Sequence, residues 1–352
     1  MSNNLENGRR NFLKKAGFFL AAGSISPVFA EQPGNAVGAE KSASGKVSDR
    51  ADKILSMSAE EVKAVRKAAW KEYWHSREAA EMRAAYAKGS GKWKIHMLGT
   101  CAGTEPWKGR NHTSWILEKP TGELLWFDAG EYCSWTASLM KIDVLRCKNL
   151  FISHPHLDHI GGLPGLFTTM LKLRWVYKEK TPFDLTVHTP VAYPVESAQK
   201  MLVNKGTIKG LKTHLVVNGE VYKDSDVVID AVENNHMPRT PEGLCQSYSY
   251  RIKMLTPPNK TIIFTGDIKN EDDVGFFFRD GGCDLLMIET GHHVAENLCS
   301  RIKEKYPNSV KDILFLHHGI EILNDPEFER IRAEAVWGKP VIISNDRQTI
   351  IL

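Results

Sequence analysis

Four residues within one six-residue stretch can do chemistry together. In LFISHPHLDHIGGLPGLF (150–167), His154, His156, Asp158 and His159 follow an apolar run and precede a glycine pair. Imidazole nitrogens and carboxylate oxygens in one cluster suit a borderline divalent ion such as zinc. His154 and His156 stand two apart, so on extended chain they point to the same side. Asp158 and His159 come after a turn and can face a second ion. Gly161 and Gly162 let the backbone approach closely. A lone histidine is most often a satisfied core or surface residue; three in six residues around an aspartate are a metal pattern.

The elements around the cluster must position it. NLFIS reads as a strand, so the cluster falls on the loop at its C-terminal end, where a rigid sheet holds ligand residues, and IGGLPGLF opens a helix. Four ligands on one loop cannot close two sites. VENNHMPRT puts His236 just after a predicted strand at 226–233, and IIFTGDIKN puts Asp267 just after one at 261–265. ILFLHHGIE puts His317 and His318 just after a strand at 312–316, and either could be the ligand. All three stretches follow apolar strands at the same edge, and a carboxylate such as Asp267 can bridge two ions.

The remainder alternates short strands and helices without internal repeats. Strand-like runs include WKIHML, SWILE, ELLWFD, DLTVHT, DVVIDAVE, YSYRI, DLLMIE and PVIIS, with helices expected near 133–145, 160–176, 191–204, 270–279, 292–305 and 325–336. The early strands have short turns and the later ones alternate with helices. The class is α/β, a two-sheet sandwich with helices on both outer faces.

The order HxHxDH, then His, then Asp after Gly, then His resembles the metallo-β-lactamase superfamily, whose fold is the αββα sandwich. LGTCAGTEPWKGRNHTSWIL (98–117), LLWFDAGE (124–131) and NNHMPRTPEGLCQSYSYRI narrow the similarity to its ribonuclease Z branch. The resemblance runs from Ile95 to His318. It implies one ion on His154, His156 and His236 and another on Asp158, His159 and His317, with Asp267 bridging. It also implies that Asp128 supports the metal loop through hydrogen bonds. Two zinc ions are expected, with manganese or iron as substitutes, giving a metal-bound hydroxide nucleophile.

Three departures from that branch redirect the substrate. Only about 30 residues separate His236 from Asp267, and they read as two strands, which leaves no room for a tRNA-gripping arm. In DLLMIETGHH, Glu289 matches the branch's glutamate, but Ile288 replaces the histidine that protonates the leaving group. His292 or His293 could take over as general acid. Leu157 stands where that branch has glycine, closer to the HLDH of class II cyclic-nucleotide phosphodiesterases. Asp158 is the residue expected to orient the nucleophile, and Trp107, Arg110, His112, Arg239 and Trp135 are candidate pocket residues for an anionic ester. The expectation is a hydrolase of small phosphodiesters. Aryl or alkyl sulfatase and lactonase activity are the alternatives, and tRNA 3′-endonuclease activity is a further one if the export signal is misread. A redox enzyme would need a flavin domain that the chain lacks, and a non-catalytic binder would be marked by a lost ligand.

The N-terminus bears on location. GRRNFLKKAGFFLAAGSISPVFA carries Arg9-Arg10, then Phe-Leu-Lys, an apolar core and a small-residue cut site ending at Ala30. This reads as a twin-arginine export signal over 1–30, giving a periplasmic or otherwise exported protein. The full chain's net charge is +4, and residues 1–30 carry +3 of it. The mature chain is therefore near neutral, which argues against nucleic acid as partner. No apolar run long enough to span a membrane follows the signal, so none is expected in the mature form. Residues 31–54 read as a flexible linker, 55–90 as a helical segment opened by a Ser58/Glu61 capping box, and 91–352 as the hydrolase domain. The helical segment could pack on the sandwich, mediate a homodimer or lid the site. The six scattered cysteines form no CxxC pair and read mostly as small buried hydrophobes, with one or two disulfides open to an exported protein.

Overall fold

A computed structural model describes residues 50–74, 83, 88–103, 105, 107–202, 207–278 and 281–352. The export signal over 1–30 and most of the linker lie outside the described residues. The chain divides into two compact units, 1–67 and 68–352. Residues 50–55, most of them assigned above to the linker, are helical. Helix α1 (Ala59–Trp74) then starts at the capping box: Ser58 N donates to Glu61 Oε2 at 2.7 Å and Glu61 N donates to Ser58 Oγ at 3.3 Å.

The second unit holds two seven-stranded mixed sheets. The first runs β14 (Thr349–Ile351), β1 (Lys94–Gly99), β2 (Ser114–Glu118), β3 (Leu124–Phe127), β4 (Cys147–Phe151), β5 (Leu185–Thr189), β6 (Leu211–Leu215). The second runs β13 (Ile342–Ile343), β12 (Val310–His318), β11 (Cys283–Thr290), β10 (Thr261–Phe264), β9 (Tyr248–Met254), β8 (Val227–Glu233), β7 (Gly219–Lys223). Hairpin-linked strands pair antiparallel, and strands linked through helices pair parallel.

Near-continuous apolar runs make the central strands, such as β2, β3 and β11, because both of their faces are buried. Along β3, Leu125 and Phe127 point into the layer between the sheets, while Leu124 and Trp126 point out towards helices. The inner layer stacks Trp115 on Phe127 at 4.2 Å between ring centres. One outer layer packs helices α2 (Cys133–Leu139), α4 (Leu163–Val176) and α5 (Tyr193–Leu202) on the first sheet. The other packs α6 (Ala295–Lys305) and α7 (Pro326–Trp337) on the second. This is the αββα sandwich expected from the sequence.

The expected helix at 160–176 is split into α3 (Leu157–Ile160) and α4. Gly162 sits at the break, where a Cβ would come 2.2 Å from the Gly130 carbonyl oxygen. Strands β6, β7 and β14 were not anticipated. The six cysteines are free and buried. Among the described residues, no helix is long and apolar enough to cross a membrane.

Candidate metal centre

The C-terminal ends of β4, β8, β10 and β12 meet at one edge of the sandwich and bring the sequence-selected ligands together. Among the described residues, two groups take in the sequence-selected ligands: His154, His156, His236 and Asp267, and Asp158, His159 and His317, each with ligand atoms mutually within 4.8 Å; a third set, Asp267, His292 and His317, meets the same limit. Asp267 joins them. Its Oδ2 lies 3.6 Å from both His154 Nε2 and His236 Nε2. Its Oδ1 lies 3.3 Å from both His159 Nε2 and His317 Nε2. One carboxylate thus offers one oxygen to each group, from the residue that directly follows the left-handed Gly266 in the loop after β10.

Between His317 and His318 the backbone chooses. β11 pairs Glu289 with Leu316 and Thr290 with His318, so His317 is the extra residue of a bulge, with φ at +50°. A bulge re-aims a side chain, and this one turns His317 inward. His318 points elsewhere: its Nδ1 meets Thr290 Oγ1 at 3.0 Å and its Nε2 donates to the Ser344 carbonyl at 2.9 Å. Gly291 leaves room for the His317 ring, since a Cβ there would stand 2.5 Å from His317 Nδ1.

The support around the ligands is extensive. Asp128 is fully buried; its Oδ1 accepts from Ser153 N at 2.7 Å, and its Oδ2 accepts from His159 Nδ1 and Ser153 Oγ, both at 2.8 Å. His159 Nε2 is thereby aimed at the centre. Asp158 Oδ2 accepts from the Gly103 amide at 2.8 Å. Neither Ser153 nor this amide was anticipated from the sequence, although Ser153 stands immediately before the first ligand.

The donor set fits divalent metal. His159 Nε2 and Asp267 Oδ1 are buried and have no hydrogen-bond partner, although only 3.3 Å separates them. His156 Nδ1 lies 3.0 Å from His154 Nε2 and 3.1 Å from His236 Nε2, a convergence of three imidazole nitrogens that one proton cannot satisfy. Nitrogen and carboxylate donors of this kind suit zinc and its neighbours.

Electrostatics separates the halves. Burial, reinforced by neighbouring imidazoles, keeps His154 well below the usual histidine range. Burial likewise lowers His236 to about 4, although Asp267 pulls the other way. For His317, burial opposes the charged form, yet Asp267, Asp158 and Glu289 raise it to about 10. His159 is raised in the same manner against burial by Asp267 and Asp128. Burial would raise the Asp158 carboxyl, but His317 and His159 hold it well below the carboxylate range.

The structure separates His292 from His293. The His292 Nδ1 sits 2.9 Å from Glu289 Oε1, its amide donates to Glu289 Oε2 at 2.9 Å, and its ring centre lies 5.1 Å from that of His236. The His292 side chain is 46% exposed, so its other nitrogen can meet a ligand. The hydrogen bond to Glu289 raises its pKa. His293 Nε2 instead donates to the Ile268 carbonyl at 3.1 Å, inside the scaffold. Glu289 is buried and also accepts from Ile268 N at 3.0 Å.

Both candidate pocket arginines are engaged by protein groups. Arg110 donates to Thr100 Oγ1 at 2.7 Å and the Ser344 carbonyl at 2.9 Å, bracing the loop that carries Gly103. Arg239 donates to Glu233 Oε2 at 2.5 Å and the Gly243 carbonyl at 3.0 Å. Both guanidinium groups therefore have protein partners and neither joins the cluster. His112 is buried, 3.7 Å from Glu131. Trp107 is half-buried beside Arg110, and Trp135 is exposed on α2.

Comparison with known proteins agrees with this fold. The ribonuclease Z of Shouchella clausii is 27% identical over 168 residues, covering 47% of this chain and 49% of its own. The chain spans about half the length of this curated relative. The metallo-β-lactamase fold protein YhfI from Bacillus subtilis superposes with a TM-score of 0.57 at 17% identity, over 74% of this chain and 100% of that one. Human tRNase Z, short form, superposes with 0.54 at 17% identity, over 73% and 98%. These likenesses show the metallo-β-lactamase fold. A family profile described as "Anti-Pycsar protein Apyc1" matches residues 93–326, from the first strand past the last ligand, and the chain belongs to that family.

Proposed function

We propose that this protein is an exported, metal-dependent hydrolase of small phosphodiesters. The observation that carries the reading is Asp267, with one oxygen towards each of two ligand groups. His154, His156 and His236 would hold one ion and Asp158, His159 and His317 the other, with Asp267 shared. When bound, two divalent ions, zinc by donor type, supply positive charge for a developing oxyanion and make a water nucleophilic near neutral pH.

The chain's own residues would do the rest. Asp158, held in place by the Gly103 amide, orients the attacking water. Glu289 fixes His292 by its Nδ1, so Nε2 presents a proton to the leaving oxygen and takes over the role of the histidine that Ile288 replaces. With Arg110 and Arg239 engaged elsewhere, recognition of the anionic ester falls to the metal centre and His292. The antiparallel pairing of β9 with β10, in the interval where the ribonuclease Z branch inserts its arm, supports a small substrate over tRNA.

The test is turnover of bis(p-nitrophenyl) phosphate beside p-nitrophenyl sulfate and a lactone. Phosphodiester cleavage that is lost in Asp158→Ala supports the reading. Cleavage of the sulfate or lactone alone overturns it. Arg9-Arg10 and the cut site at Ala30 support twin-arginine export. A periplasmic product that starts at residue 31, and is lost when both arginines become lysine, is the expected result; unchanged export would contradict it.

A further inference from the structure

One carboxylate reaches a ligand in each half of the centre. Asp128 Oδ2 accepts from His159 Nδ1 and from Ser153 Oγ, both at 2.8 Å. Ser153 Oγ in turn lies 3.0 Å from His154 Nδ1. A serine hydroxyl has one proton. Asp128 accepts three hydrogen bonds through its two oxygens and offers no proton, so the Ser153 proton is committed to it. The Oγ lone pairs therefore face His154, and His154 must carry its proton on Nδ1. That leaves Nε2 as the lone pair aimed at Asp267 Oδ2, 3.6 Å away, and His156 Nδ1, 3.0 Å away, which is the form a metal needs.

We propose that Ser153 is a positioning residue that relays Asp128 to His154, so that a single carboxylate sets the tautomer of one histidine in each half. The inference rests on the reading of the cluster as a metal centre. Asp128, Ser153, His154 and His159 are all 0% exposed, so no solvent competes for these bonds. Ser153 is itself fixed. Its amide donates to Asp128 Oδ1 at 2.7 Å, and its carbonyl accepts from Tyr248 N at 2.9 Å. Gly266 presses on its side chain: with φ at +56°, a Cβ there would stand 2.8 Å from Ser153 Cβ. The bridging Asp267 follows directly, so the loop that supplies it is packed against the relay. Without the hydroxyl, His154 Nδ1 faces a methyl group. The competing tautomer can then point an N–H at His156 Nδ1, 3.0 Å away, and it cannot ligate.

The experiment uses the mature chain with 15N-labelled histidine, metal-free and then titrated with zinc by calorimetry. In the wild type, the His154 cross-peaks should report a proton on Nδ1. In Ser153→Ala, that signature should become a mixture while His159 keeps its own. One zinc site should weaken by about 10–100-fold, the usual effect of removing an outer partner of a ligand, and the other should change little. Asp128→Asn should weaken both. An N–H on His154 Nε2 in the wild type would overturn the relay, and this reading needs no variant to fold. Equal loss at both sites in Ser153→Ala, or no loss, would also overturn it while leaving the metal centre intact. A wild type that binds no zinc would instead remove the metal centre, and the relay with it.

Discussion

If the cluster holds two ions as proposed, replacing Gly291 by alanine should cost the protein one of them. An added Cβ would stand 2.5 Å from His317 Nδ1, 2.7 Å from its Cε1 and 2.6 Å from Ala102 Cβ. Non-bonded heavy atoms settle at about 3.5–4.0 Å, so something must move by about 1 Å. The backbone does not forbid alanine, since Gly291 is not among the glycines with positive φ. The His317 ring is the part with least freedom to retreat. Its Nε2 lies 3.2 Å from Asp158 Oδ2 and 3.3 Å from Asp267 Oδ1, and its Nδ1 lies 3.6 Å from Glu289 Oε2. Metal–ligand distances tolerate only about ±0.2 Å. The half with Asp158, His159 and His317 should empty, while the half with His154, His156 and His236 stays loaded. Misplacement of about 1 Å costs roughly 10²-fold in rate, and overpacking costs about 1–3 kcal/mol of stability. Metal analysis after gel filtration, turnover and thermal unfolding read these together. A folded Gly291→Ala protein with two ions and wild-type turnover would refute the steric argument and the placement of His317.

Other outcomes follow from the same geometry. His292→Gln should slow esters with alkoxide leaving groups by about 10²–10³-fold and activated p-nitrophenyl esters much less. His293→Gln should leave that ratio unchanged, and equal losses would dissolve the distinction. In the metal-free protein, carboxylates hold protons on His317, raised to about 10, and on His159, while burial keeps His154 and His236 neutral. Lower pH adds protons to the first pair, so metal affinity at their half should fall as pH drops and rise until pH passes about 10. Calorimetry in buffers of different ionisation enthalpy should detect proton release at that half and almost none at the other; proton-neutral uptake at both would contradict it. Arg239→Ala should change stability by no more than about 0.5 kcal/mol, as for most surface substitutions. A tenfold loss of kcat/KM in that variant would return Arg239 to the substrate site.

The clustered residues were legible because they sit at the ends of apolar strands, and strand ends can be read from composition. His154, His156, Asp158, His159, His236 and Asp267 needed nothing more. The choice of His317 over His318 was not legible, since it depends on a bulge against β11 that pairs Thr290 with His318. Likewise, His292 and His293 differ only in which backbone and carboxylate atoms they meet. The partners of Arg110 and Arg239 were not legible, because residue type gives charge without partners. Thr100 and Ser344 for one, and Glu233 for the other, come together only through the fold. Strand β6 escaped notice because it is an exposed edge without apolar alternation, and β14 because it has three residues. Ser153 was hidden by its ordinariness: a serine beside a histidine says nothing until Asp128, 25 residues earlier in the chain, is seen beneath both.

The most direct test of the two-ion account is metal content measured alongside turnover of bis(p-nitrophenyl) phosphate, in the mature chain and in Asp267→Asn. The account expects two divalent ions per chain, activity that disappears with chelation and returns with zinc, and loss of both ions and activity in the variant. A wild type purified under metal-replete conditions without bound metal, or an Asp267→Asn protein that keeps two ions and full activity, would contradict it.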